Sequence, residues 1–268
     1  ALTWICNDIL NHDGKNSQIT GVDFADISPF KVLRRKPEEF PAVRFIGNTP
    51  IERLPFPDRS VDLFVSQYGL EYANLEEAVP EIGRKISASG RLALILHDCE
   101  SSIIRGATEH LDDLRRVAED IRMHDMAFEL DKLVQKHKNP ARRAAIPEFN
   151  SLLAQIRLAS GRVDDMARHH PGNSPLHLYV RRLNMAFDQT KKRSGADRKK
   201  LITQARDALL THIRRVEDLD AAALSESGRE RLVALLEAEG LQITGMFTLE
   251  YKQEKNIGTA LSAARGAP

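Results

Sequence analysis

Hydrophobic positions follow two rhythms along the chain. Through residues 1–105, short apolar runs alternate with stretches whose apolar residues recur at helical spacing. ALTWICNDIL places Leu2, Ile5, Ile9 and Leu10 on one helical face. QITGVDF reads as a strand ending at Asp23, AVRFIGN as a second strand, VDLFV as a third, and LALIL as a further buried run. Pro29 opens a short helical or irregular piece. LEEAVPEIGRKISAS predicts a helix with Leu75, Val79, Ile82 and Ile86 on one face, and Pro80 either kinks it or displaces its start. From 106 to 224 the strand-like runs stop. Leu111, Leu114, Val117, Ala118, Ile121 and Phe128 hold a helical stripe, and SLLAQIRLAS, LHLYVRRLNMAF and KLITQARDALLTHIRRV continue it. Four or so helices are expected there, broken at NPARRAAIP, HHPGNSP and KKRSGADRKK. Residues 225–268 return to the first rhythm. Ser225 and Gly240 bracket a helix as N-cap and C-cap signals. LQITGMFTLEY then reads as a strand, and NIGTALSAARG as a last strand at an edge that tolerates Gly258.

Strand–helix alternation of this kind predicts an α/β fold: a doubly wound, mostly parallel sheet of six or seven strands, with a helical lid inserted at 106–224. The expected organisation is a core at 1–105, the insertion at 106–224, and the rest of the core at 225–268. In such sheets ligands sit beyond the carboxyl ends of the strands. The residues just past VDLFV, from Ser66 to Tyr72, therefore face a crevice as well as turning the chain.

Composition narrows this picture only a little. Among 268 residues 42% are hydrophobic and 29% charged, and the formal charge is +1, so no global field points to nucleic acid or membrane. Cys6 and Cys99 make no disulfide framework and suit a reducing, cytoplasmic setting. No apolar run approaches membrane-spanning length, and no secretory leader is expected.

Chemistry-bearing residues collect at the predicted strand ends. Asp23, followed by Phe24, can accept hydrogen bonds from both hydroxyls of a ribose, though an aspartate there also fits a helix cap or a solvated turn. Asn48 or Thr49, with Pro50 and Ile51, offer a polar group and an apolar wall for a purine; a plain loop is the alternative. Ser66, Gln67 and Tyr68 end the third strand. His97, Glu71 and Tyr68 are the candidate proton-handling groups, with a packed or capping histidine as the alternative for His97. His97, Asp98, Cys99 and Glu100 alternate in direction along an extended segment, so no metal site is expected. His169 and His170 read as loop, and His110 and His124 as exposed. The basic run through Lys191, Lys192, Arg193, Arg198, Lys199 and Lys200 reads as a solvated helix connection, because no aromatic residues interleave with it.

GVD, then LPFPDRSVDLFVS, then ISASGRLALILHD occur in the order and spacing of the class I S-adenosylmethionine-dependent methyltransferases, which the chain resembles over 1–100 and more weakly over 225–268. It looks like the type 11 branch, whose middle motif is LPF-x-D-x-S-F-D-x-V. Ser89 stands where a glycine is common. The resemblance implies S-adenosylmethionine as cofactor, S-adenosylhomocysteine as product, and direct displacement at the sulfonium methyl without metal. Asp23, Phe24, Asn48, Thr49, Pro50, Ile51, Ser66, Gln67 and Tyr68 are then the expected cofactor contacts. The family's glycine-rich loop is absent, and the reading places it and the first strand upstream of Ala1. A lid over the site favours a small-molecule acceptor, methylated on oxygen or nitrogen, and the insertion also offers a homodimer surface. An RNA methyltransferase using the basic run, or an inactive methyltransferase-like scaffold, are the alternative functions.

Overall fold

The computed structural model describes residues 2–12, 17–170, 174–188, 193–252 and 255–266. The chain forms two compact units, Ala1–Ile104 with Ala222–Pro268, and Arg105–Ala221. In the first, α1 (Leu2–Leu10) precedes β1 (Ile19–Val22), α2 (Pro29–Val32), β2 (Val43–Ile46), β3 (Val61–Gln67), α3 (Leu75–Lys85) and β4 (Ile86–Leu96). The second carries α4 (Ser102–Thr108, begun in the first unit), α5 (Leu111–Arg115), a π-helix (Arg116–Ile121), α6 (Met123–Lys136), α7 (Pro140–Ala144), α8 (Pro147–Ala167), α9 (Pro175–Ala186) and α10 (Gly195–Ala222). The chain then returns to the first unit through α11 (Glu226–Ala238), β5 (Leu241–Tyr251) and β6 (Lys255–Arg265).

The six strands of the described residues form two sheets rather than one. β1 and β2 pair in parallel; the other sheet has the order β3-β4-β6-β5. β3 and β4 are parallel, while β6 is antiparallel to both β4 and β5. The sheet is thus less parallel than expected, because a short connection joins β5 to β6 as a hairpin. Among the described residues no strand pairs with the second edge of β1 or of β3. On β3, Leu63 and Val65 remain 40% and 37% exposed, high for apolar residues of a strand in an α/β sheet.

Three local expectations change. The helix predicted through Ser89 ends at Lys85, and Ile86 already pairs with Val61 before the register shifts between Val61 and Leu63. Pro80 lies inside α3, whose start is fixed by the Asn74 side chain accepting from Glu76 N at 3.2 Å. β6 is a central strand, so Gly258 is not at an edge. Its φ is +147°, and a Cβ there would sit 2.4 Å from Leu96 O, so the close approach of β6 to the end of β4 requires glycine.

Each unit has its own core. Leu70, Val79, Ile82, Leu92, Leu94, Leu232, Leu236 and Leu261 pack α3 and α11 against the four-stranded sheet. Val163, Leu176, Tyr179, Ile202 and Leu209 belong to the core of the helical unit, whose four longest helices are α6, α8, α9 and α10. Near the N-terminus, Trp4 meets Phe30, Phe40 and Phe45 at centroid distances of 4.7–5.5 Å. This aromatic cluster holds α1 and α2 against the two-stranded sheet.

Candidate active site

Tyr68, Glu71 and His97 are brought together where β3 and β4 end. β3 delivers Tyr68 at φ +55°, a left-handed conformation that starts the sharp turn into a 3₁₀ segment, Leu70–Tyr72. Ser66 Oγ accepts from Leu70 N at 3.2 Å and closes that turn. The turn buries Glu71, whose Oε1 accepts from His97 N at 2.8 Å. His97 Nδ1 lies 2.9 Å from the same oxygen, but the carboxylate is off the line of a ring hydrogen bond, so this contact is an ion pair only when the imidazole is protonated. Glu71 Oε2 is buried with no hydrogen-bond partner among the described residues. The Tyr68 ring stacks on the imidazole with centroids 4.2 Å apart, and Tyr72 meets it edge-on at 6.0 Å.

This arrangement fixes the imidazole between a carboxylate and two aromatic rings. Tyr68 OH donates to Ile257 O at 2.8 Å, which anchors the stacking ring to β6. Burial, and then the charge of Glu71, push the Tyr68 phenol above its ordinary range, so Tyr68 is a neutral wall and hydrogen-bond donor near neutral pH. No hydrogen bond to His97 Nε2 occurs among the described residues. With Nδ1 turned to Glu71, Nε2 is the ring atom available to take a proton. Asp98, one residue on, is structural. Its Oδ2 accepts from Arg229 Nη1 at 2.8 Å and from Thr259 Oγ1 at 3.1 Å, and its Oδ1 accepts from Glu100 N.

A second group forms at the ends of β1 and β2. Thr49 N donates to Asp23 O and Asn48 N to Ala25 O, each at 3.0 Å, so the two loops interlock. Gly47 is needed at this crossing, since a Cβ would lie 2.8 Å from both Ala25 O and Ile27 N. Asn48 stands at φ +52°. The Asp23 carboxylate is exposed, with Oδ1 accepting from Ala25 N at 2.9 Å. Beside it Phe24 is 78% exposed, which is unusual for a phenylalanine and leaves a ring face available for stacking. Thr49 Oγ1 is turned back to Gly47 O at 3.0 Å, Pro50 is half-buried, and Ile51 packs into the core of the sheet unit. An exposed carboxylate, an exposed aromatic face and a tight glycine crossing fit a nucleoside. Gln67 is exposed at the end of β3. Among the described residues no side-chain hydrogen bond or ion pair joins this second group to Tyr68, Glu71 and His97.

LPFPDRS, one of the motifs that carried the resemblance, is explained structurally. Lys85, buried in the last turn of α3, reaches Asp58 Oδ1 at 2.9 Å and Phe56 O. Glu81 accepts from Leu54 N at 2.9 Å and pairs with Arg84, which also reaches Asp58 at 2.5 Å. The hydrogen bond from Lys85 is the main reason the Asp58 carboxyl lies below its ordinary range. The motif is a clamp that seats the start of β3.

Other sequence readings are corrected. His124 is buried: Tyr179 OH accepts from His124 N at 2.9 Å and lies 3.0 Å from Nδ1. His170 is buried against Asp113 rather than in an open loop. In the basic run, Arg198 is committed to Asp131 at 2.5 Å and to Arg193 O; Lys191 and Lys192 lie outside the described residues. The HHPGNSP break also falls partly outside them. Cys6 and Cys99 are both free thiols, and no helix of the described residues is long and apolar enough to cross a membrane.

Comparison with known proteins places these sites in context. Residues 6–94 match a family described as a methyltransferase domain. No curated protein matches. Among solved structures, an S-adenosylmethionine-dependent methyltransferase from Mesorhizobium loti is 20% identical over 36% of this chain and 43% of its own, with a TM-score of 0.29. The CMeT domain of the citrinin polyketide synthase is 11% identical over 98% and 42%, TM-score 0.42. A methyltransferase from Methanosarcina mazei is 14% identical over 92% and 81%, TM-score 0.36. The chain spans less than half the length of the first two. What the family match gives is narrower: residues 6–94, about a third of the chain, are similar to a methyltransferase domain.

Proposed function

We propose that the protein transfers a methyl group from S-adenosylmethionine to an oxygen or nitrogen of a small-molecule acceptor. The observation that carries this reading is the imidazole of His97, held by buried Glu71 and stacked on Tyr68 at the strand ends of the methyltransferase domain. When bound, the cofactor supplies an electrophilic methyl with a neutral thioether as leaving group. Asp23 would take the ribose hydroxyls and Phe24 a face of the adenine, with Asn48, Thr49, Pro50 and Ile51 shaping that end and Ser66 and Gln67 the other. Nε2 of His97 would accept the acceptor's proton, and Glu71 would stabilise the imidazolium so formed. Misalignment of Nδ1 with Glu71 in the free protein is compatible with this role, since such hydrogen bonds tighten when substrate is bound.

The unpaired edges of β1 and β3, and the exposed Leu63 and Val65, support a further strand pairing there. The proposed occupant is a strand carrying the glycine-rich loop that the resemblance implies. The unit Arg105–Ala221 is proposed to select the acceptor, as a lid, and to be the surface of any homodimer.

Calorimetric titration of S-adenosylhomocysteine into the protein tests the assignment. Saturable binding that weakens at least tenfold in Asp23→Ala is expected. Absence of binding at millimolar ligand would overturn the cofactor reading, and binding indifferent to Asp23→Ala would overturn the residue assignment.

A further inference from the structure

The helical unit contains a second constellation that methyl transfer does not use. His110 immediately precedes α5, Asp113 lies one turn into it, and His170 follows the C-terminal end of α8. One ligand atom from each of the three lies within 4.8 Å of the other two. We propose that these residues form a binding site for a divalent transition-metal ion of the zinc type, fastening α5 to the end of α8.

Four observations support it. His170 Nε2 and Asp113 Oδ2 are already 3.2 Å apart. Two ligands each about 2.0–2.1 Å from a tetrahedral zinc stand about 3.3 Å from each other, so this pair is set at the right separation. The His170 side chain is only 1% exposed, and its partner Asp113 is 36% exposed, which gives a preformed inner ligand and an open outer side for entry and for a bound water. His110 and His170 stack with ring centroids 3.8 Å apart and planes at 21°. The stack holds His110 within reach of His170, and because an ion lies in the plane of each imidazole that binds it, the half-buried His110 ring turns out of the stack on binding. The helix continues from α5 directly into the π-helix Arg116–Ile121, closed by Arg122 N donating to Val117 O. Such π segments are rare and concentrate at functional sites.

Two imidazoles and one carboxylate are a borderline ligand set that suits zinc, cobalt or nickel over calcium or magnesium. On binding, the His170–Asp113 hydrogen bond is replaced by two bonds to the ion, and any proton on the ligating ring nitrogens is released. With three protein ligands the fourth position is left for water or an incoming group.

The test is a titration of Co²⁺ into the full chain carrying no polyhistidine tag, followed by visible absorption, with Zn²⁺ as competitor. One equivalent of Co²⁺ should give the strong absorption of a low-coordinate ion, and Zn²⁺ should abolish it. His110→Ala and Asp113→Asn should each weaken binding by at least about 100-fold. His169→Ala, an exposed neighbour, should bind as the parent does. His170→Gln removes the buried ligand. If that variant is unfolded by circular dichroism, the other two carry the decision, because His110 and Asp113 are only half-buried. A spectrum of aqueous Co²⁺ unchanged by the protein would overturn the proposal. So would binding that His110→Ala and Asp113→Asn leave intact, which would place the ion at other histidines.

Discussion

His97 in the sheet unit and His124 in the helical unit are buried to nearly the same degree, 7% and 6% exposed. Each sits near an aromatic hydroxyl and an acid, so burial and neighbours alone do not separate them. Their backbones and ring atoms do. His124 follows Met123 at the start of α6, and both its backbone N and its Nδ1 are directed at one oxygen, Tyr179 OH. Its backbone N and Nδ1 are both spent on joining α6 to α9, which leaves Nε2, 3.8 Å from Asp125 Oδ1. His97 is at a strand end, where its backbone N is satisfied by Glu71 and its backbone O by Leu224 N at 2.9 Å. Its Nδ1 faces a carboxylate it does not yet align with, and Nε2 has no protein partner among the described residues. The first has a ring nitrogen committed to packing; the second has neither ring nitrogen hydrogen-bonded among the described residues, and so has proton-handling capacity left over.

The sharpest way to break that contrast is to exchange the consequences. His97→Gln should fold as the parent does and lower kcat by about 10²–10⁴-fold, the usual worth of a positioned base. Glu71→Gln keeps an oxygen for His97 N but removes the charge, so it should lose activity with little loss of stability; Glu71→Ala should in addition destabilise by about 1–3 kcal/mol, leaving a buried N–H unpaired. Activity unaffected in His97→Gln, measured with an acceptor that must lose its proton, would reduce His97 to a capping residue.

The next effect runs the other way. Tyr179→Phe removes the hydroxyl that serves His124 N and Nδ1, and should destabilise by about 1–3 kcal/mol in urea titrations while leaving kcat unchanged in the folded fraction. A variant that keeps its stability would show that water substitutes for the hydroxyl, and would weaken the claim that His124 Nδ1 is committed to packing.

These two sites were not equally legible in the sequence. Tyr68, Glu71 and His97 were picked out because strand ends in α/β sheets are where ligands bind, and the period-2 runs located those ends. The alternation also located all six strands, and the helical stripe the four long helices. What periodicity does not carry is which elements meet. Gly258 was read as an edge glycine because nothing local says that β6 inserts between β4 and β5. His124 and His170 were read as exposed or looped because their partners, Tyr179 and Asp113, are 55 and 57 residues away. LPFPDRS carries the resemblance, and its contacts are a clamp made by Lys85 and Glu81, 27 residues on from Asp58 and Leu54 respectively. A hint was present for His170: it and His110 flank helices on the same helical stripe, and His110-x-x-Asp113 spaces two ligands by one turn.

The smallest expected effect tests the same contrast by pH. Burial holds His124 below its ordinary value of 6.5; the charge of Asp125 opposes this, and Arg206 and Arg122 add to it. The native state therefore keeps the ring neutral, while the unfolded chain takes up a proton near 6.5. Between the depressed folded value and 6.5 the unfolded state binds more protons, so stability falls as pH drops through that window and levels off below it. A single histidine gives a slope no steeper than about 1.4 kcal/mol per pH unit. Subtracting the curve of His124→Gln from that of the parent isolates this term from the other histidines. The difference should be flat above pH 7 and slope only on the acid side. A slope of opposite sign would mean that His124 is charged in the folded protein, with Asp125, which approaches its Nε2 to 3.8 Å, outweighing the burial.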